Sequence, residues 1–209
     1  MNKIVKTLVF VETIFLFGFG LFGPIYAIFI EKIGGNVLDV GIAYSIFLIC
    51  MSTVELPMGK LADKYGRKLF LAGGYFLSAL SFLGYIFINN IYQLFFIQVI
   101  YGFSLAIGDP AWDAWFSKSL DKSKESFEWA LFHMSTGYAE GISALIGGAI
   151  GYFIGFETLF IISTILAVIS GIIVLNTKDF NNKPSKLFVF HRGHFRKRRH
   201  MIKKRRYKR

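Results

Sequence analysis

Six apolar runs, at residues 7–30, 37–57, 69–88, 91–115, 127–153 and 158–175, leave this chain few folds to adopt. Each supplies about 20 residues, which at the helical rise reach across about 30 Å of bilayer hydrocarbon. Strands would need an apolar–polar alternation that the runs lack, and hydrocarbon tolerates no unpaired backbone, so each run is expected to be a membrane-spanning helix. A mean hydropathy of +0.51 over 209 residues is too high for a water-soluble domain of this size. The first run is longer than a signal-peptide core and no small-x-small cleavage site follows it, so it is expected to remain. A single cysteine, Cys50, excludes an intrachain disulfide and offers no metal-ligand spacing.

The polar stretches between the runs set the orientation. Gly59-Lys-Leu-Ala-Asp63-Lys-Tyr-Gly66-Arg67-Lys68 packs four cations, one carboxylate and two glycines between the second and third runs. Gly59 and Gly66 offer backbone freedom at the ends of a tight reversal, and Asp63 is a natural acceptor for the free amides of the next helix. Of 24 Lys and Arg residues, 23 fall on the side of this loop and Lys32 alone falls on the other. Cations resist translocation, so both termini are expected in the cytoplasm of a multi-pass plasma-membrane protein.

The pattern G-x-L-x-D-x-x-G-R-K, filled by Gly59, Leu61, Asp63, Gly66, Arg67 and Lys68, resembles the signature loop between helices 2 and 3 of the major facilitator superfamily of secondary transporters. The resemblance implies an all-α polytopic membrane protein, with six transmembrane helices forming two inverted three-helix repeats, half of a facilitator fold. Residues 1–177 would be that half, the N-terminal one, and 178–209 a basic cytoplasmic tail. Facilitators often place an acid near the cytoplasmic end of helix 4 against the signature arginine. Asp113 is the first choice to pair with Arg67, and Asp109 the second. Glu55 is either a solvated carboxylate or, paired with Lys60 and Lys64, part of the same gate.

Other polar residues interrupt the apolar runs. Glu12 lies in the first, Asp109 in the fourth and Glu140 near the middle of the fifth. A charged Glu140 there would cost several kcal/mol unless a cation or cavity water compensated it. Glu140 is therefore expected to face inward, as either a neutral group bonded to a neighbouring helix or a proton- or cation-handling group. With Glu12 and Asp109 it forms the candidate lining of a substrate and proton pathway. His133 reads as a hydrogen-bonded packing residue, and Tyr75 and Tyr101 as anchoring or packing residues. Pro24 bends the first helix near its outer end, as a tolerated kink or as a gating hinge. Gly137 and Gly141, and Gly147, Gly151 and Gly155, repeat at a spacing that lets neighbouring backbones approach. Ser163, Thr164 and Ser170 can bond back to their own helix.

Gly-Asp109-Pro-Ala-Trp112-Asp113-Ala-Trp115 is similar to drug-efflux facilitators, which implies a small lipophilic or cationic solute moved by alternating access. Two features depart from proton-coupled antiporters. Gln98 stands where they often carry arginine, and the proline before their helix 5 double glycine is missing ahead of Gly147-Gly148. Gly102-Phe-Ser104 resembles the serine motif of rhomboid proteases, but the sixth run lacks the histidine they need. No nucleotide-binding loop, metal cluster or catalytic triad is present, so neither an enzyme nor a cofactor is expected.

Residues 178–209 hold 14 Lys and Arg against one acid. Such a tail is expected to be disordered, with each cation contributing about 1 kcal/mol near anionic lipid. It has no fold or aromatic platform for specific nucleic-acid binding. A complete facilitator has about twelve helices, so the missing half would be a separate six-helix chain or a second copy. The competing reading is a truncated or split-gene product, a non-transporting membrane scaffold that binds lipid or a partner through the tail.

Overall fold

A computed structural model describes residues 1–177, and the basic stretch 178–209 lies outside the described residues. All seven helices follow the apolar runs. They are α1 (Lys3–Gly20), α2 (Tyr26–Lys32), α3 (Val37–Tyr65), α4 (Arg67–Tyr85), α5 (Ile91–Ser119), α6 (Glu125–Phe153) and α7 (Phe156–Asn176). α1 and α2 are one broken crossing, interrupted by a 3-10 turn at Gly23–Ile25 that contains Pro24. Five crossings are both long and apolar enough to span a membrane. α6 has the length, but its carboxylates, His133 and glycines dilute its apolarity.

Packing follows a regular scheme. The principal pairs are α3 with α5, α4 with α5, α4 with α7, α1 with α6 and α1 with α7. Exchanging the first crossing with α5, α3 with α6 and α4 with α7 turns this set of pairs into itself. Residues 1–85 and 91–176 are thus two repeats related by this exchange, and every principal pair joins a helix of one repeat to a helix of the other. Each repeat has three crossings, an odd number, so the second enters the membrane from the opposite face.

The turns sort onto two ends of the bundle. At one end the Asn2 side chain donates to the Ser119 carbonyl at 2.7 Å, and the Met1 amine lies 3.3 Å from Glu128. At the other, Lys32 Nζ sits 5.6 Å from the centre of the Phe156 ring, and Gly35 lies against Ile91. Short capped turns enforce the reversals: Asn36 and Asp39 form a reciprocal cap on α3, and the Asn90 side chain caps α5. Between α5 and α6, the backbone N–H and then the hydroxyl of Ser123 hold the Asp121 carboxyl below its ordinary range.

The core lies between α1, α4 and α7. Phe15, Phe22, Phe82, Tyr85 and Phe160 are all buried there, with Tyr85 stacked on Phe160 at 5.0 Å. Ser163 donates to the Gly18 carbonyl at 2.6 Å and Ser170 to that of Val11 at 3.2 Å. These serines join α7 to α1 instead of serving their own helix alone, because small side chains bring the two backbones close. α3, by contrast, buries only Ala43 and Ala62. Most of its apolar surface is left for lipid or for another chain.

Two expected boundaries move. α3 continues through Pro57 for two further turns, because proline removes one donor without ending a helix that is emerging into water. The reversal before α4 is consequently not a ten-residue loop. It is Gly66 alone, at φ +109°.

Candidate functional site

The signature residues divide between helix and turn. Gly59, Leu61 and Asp63 belong to the last turns of α3, where Gly59 faces Pro110 of α5, while Arg67 and Lys68 open α4. Asp63 does not cap α4, whose start has no side-chain cap. It accepts from Arg67 Nη2 at 2.5 Å, the i, i+4 pair created when α3 extends to Gly66. The alternative partner, Asp113, is exposed and forms no ion pair, and Glu55 forms none with Lys60 or Lys64. Among the described residues the ion pairs are Arg67–Asp63 and Met1–Glu128.

A second group of carboxylates, each half-buried, lies at one depth on three helices. Glu12 is nine residues from the start of α1, Asp109 ten from the end of α5 and Glu55 ten from the end of α3. At 1.5 Å per residue, all three sit about 13–15 Å in from the end of the bundle that carries Met1 and Gly66. The charges acting on Asp109 are those of Glu12, Asp113 and Glu55, so acids crowd acids in this layer. Such an arrangement is costly in hydrocarbon and is relieved by a proton, a cation or water. The buried Tyr75 hydroxyl donates to Glu12 Oε2 at 2.5 Å, joining α4 to α1. Tyr101 is also buried, about two turns deeper on α5, within electrostatic reach of both Asp109 and Glu12.

Glu140 is not part of this layer. It is exposed on α6, between Gly137 and Gly141, at each of which a Cβ would meet open space. The inward orientation expected for it is absent from this bundle. Gly147 and Gly151 instead meet Leu21 and Ile25 at the break in the first crossing. His133 is exposed and lies beside the Trp129 ring at 5.8 Å, at the edge of an aromatic cluster with Trp112, Phe116 and Phe132.

Four polar groups that join the helices or adjoin the acids gave no signal in the sequence. Tyr75 meets a carboxylate 63 positions away, and Tyr101 sits in an apolar run like any packing aromatic. Gln98, noted above only as a replacement, accepts from Tyr85 at 3.0 Å and donates to Tyr26, fastening α2 to α4 and α5. Glu128 is fully buried and is answered by the Met1 amine. Among the described residues, no three His, Cys, Asp or Glu side chains converge as a metal would require.

Comparison with known proteins agrees with this architecture. An uncharacterized MFS-type transporter of Methanocaldococcus jannaschii is 26% identical over 83% of this chain and 46% of its own length. The uncharacterized MFS-type transporter YitZ of Bacillus subtilis is 24% identical over 77% of this chain and 98% of its own. Multidrug resistance protein MdtG of Proteus mirabilis is 31% identical over 76% of this chain and 40% of its own length. The chain thus spans less than half of the first and third relatives and nearly all of the second. The family model described as Major Facilitator Superfamily matches residues 8–206, and with the signature at the α3–α4 reversal and the paired three-helix repeats, the chain belongs to that superfamily.

Proposed function

We propose that residues 1–177 form one lobe of a secondary transporter that moves a small lipophilic or cationic solute across the plasma membrane by alternating access. In this reading Glu12 and Asp109 exchange a proton for the solute's positive charge. A second six-helix lobe, a separate chain or another copy of this one, completes the pathway against the sparsely buried α3 and the open face of α6. Glu140, at mid-depth on that face, then lies between the lobes. Both termini lie in the cytoplasm, with residues 178–209 drawn to anionic lipid by their cations. The Asp63–Arg67 pair at the α3–α4 reversal belongs to the gate at the cytoplasmic end, with Asp113 and Glu55 as further gate residues.

The observation that carries this reading is the layer of carboxylates from three helices with a tyrosine bonded to one of them. Among the described residues none of these acids has the compensating cation that a permanently charged structural carboxylate would call for. The multidrug names of two of the relatives, MdtG of Proteus mirabilis and the efflux pump PmrA of Streptococcus pneumoniae, support the solute class.

The test is uptake of tetraphenylphosphonium into proteoliposomes under a pH gradient, with the chain alone and with an added six-helix partner. Glu12→Gln and Asp109→Asn are each expected to slow gradient-driven uptake by at least about tenfold, equivalent to ~1.4 kcal/mol of barrier. Uptake that neither substitution affects would contradict the assigned roles. No uptake in either format, with helicity intact, would favour the scaffold reading.

A further inference from the structure

We infer that Tyr75 is a positioning residue for Glu12: its hydroxyl, rather than a basic side chain, fixes which way the Glu12 carboxylate faces within the acidic layer. The inference deepens the transport reading above and rests on it for its functional meaning, but the bond itself is testable without transport.

Every element packed around Glu12 bears on this assignment. α4 contributes the Tyr75 hydroxyl at 2.5 Å. α5 contributes Asp109, Asp113 and Tyr101, whose charges or potential charges couple to the same group. On α6, Glu128 is taken by Met1, while Glu125, His133, Tyr138, Glu140 and Tyr152 are exposed. α7 carries Glu157 at its far end as its titratable side chain. Tyr75 is thus the donor in a ring of groups that otherwise repel or ignore a carboxylate.

The tyrosine is itself held rigidly. Its ring is 4% exposed and packs on Phe15 of α1 at 4.9 Å, three positions from Glu12 on the same helix. On its own helix the preceding residue, Gly74, is in backbone contact with Gly108, where an added Cβ would come within 2.7 Å of the Gly108 Cα. Gly108 immediately precedes Asp109. α4 therefore places the Glu12 donor and the backbone beside Asp109 with one rigid contact, and the two acids are held in register through it.

Tyr75 contrasts with the other buried tyrosine coupled to these acids. Tyr101 is 4% exposed, and its hydroxyl has no hydrogen-bond partner among the described residues. One buried tyrosine therefore holds an acid, while the other is coupled to the same acids without a bond to either.

The experiment is infrared spectroscopy of the purified full chain in lipid nanodiscs, with the Glu12 band identified by its loss in Glu12→Gln. Tyr75→Phe is expected to shift that carboxylate band, and Glu12→Gln to shift the C–O band of a tyrosine that disappears in Tyr75→Phe. Tyr92→Phe, at a ring 83% exposed, is the control that should shift neither. In uptake assays the Tyr75→Phe penalty should vanish in the Glu12→Gln background, which a general packing defect would not do. Unchanged Glu12 and tyrosine bands, or additive penalties, would overturn the inference even if transport itself is observed. Reciprocal shifts without any uptake would uphold the bond and refute the transport reading instead.

Discussion

Gly147 and Gly137 look interchangeable as letters, but they do opposite things. A methyl group on Gly147 would land on the Leu21 carbonyl at the break in the first crossing, whereas one on Gly137 or Gly141 would meet open space. Residues 139, 143 and 147 form the buried row of α6, and 137 and 141 lie off that row, about 80° and 120° around the helix from 147. Gly147→Ala is expected to destabilise the bundle by about 1–3 kcal/mol through overpacking. Gly137→Ala and Gly141→Ala should be near neutral in the same thermal unfolding series in detergent, and equal losses at all three positions would refute the assignment. Spacing alone marked both rows as close-packing candidates, because it reports periodicity and not which face has a neighbour. For the same reason Glu12 and Asp109 were legible as rare acids in apolar runs, while Tyr75 was not. Its role exists only because packing brings two distant positions together.

The reversal between α3 and α4 turns on one residue. Gly66 adopts φ +109° and ψ 128°, a conformation that side chains with a Cβ rarely accept. Gly66→Ala should cost about 1–3 kcal/mol in backbone strain and tilt α4 away from α3. The loss should appear in unfolding, and solvent exposure of Arg67 should rise as its 2.5 Å bond to Asp63 opens. Unchanged stability would mean that the turn relaxes without strain. The presence and order of the crossings were legible from apolar length, and the break in the first crossing from Pro24. The extension of α3 past Pro57 was not, since a proline near a polar stretch reads as an end. Here the helix simply continues beyond the hydrocarbon, with Lys60 and Lys64 exposed on its final turns. The α5–α6 linker is held differently, by Asp121 bonded to Ser123. Because that carboxyl is held below its ordinary range, its contribution is complete above that range and fades only as acid protonates it.

At the scale of the molecule, two features determine what the bundle can do. The helix pairs repeat under exchange of the two three-helix units, so the chain is built as an inverted duplication. That symmetry was invisible in the letters because apolar residues substitute freely for one another in a membrane core, and only the pairing survives. The turns also divide cleanly, with Met1, Gly66 and the 120–124 linker at one end and residues 33–36, 86–90 and 154–155 at the other. The depth of the acidic layer is measured from the first end. The proposed role of that layer as a cytoplasm-facing exchange site depends on that end being inside the cell, the orientation expected from the 23-to-1 bias of cations.

Single cysteines placed in a Cys50→Ser background at Lys64, Lys122, Glu31 and Asn89 test this directly, using a membrane-impermeant maleimide on intact cells. Glu31→Cys and Asn89→Cys should be labelled from outside, and Lys64→Cys and Lys122→Cys only after the membrane is opened. Labelling at position 64 or 122 in intact cells would contradict the six-crossing, cytoplasm-facing arrangement and the site depth derived from it.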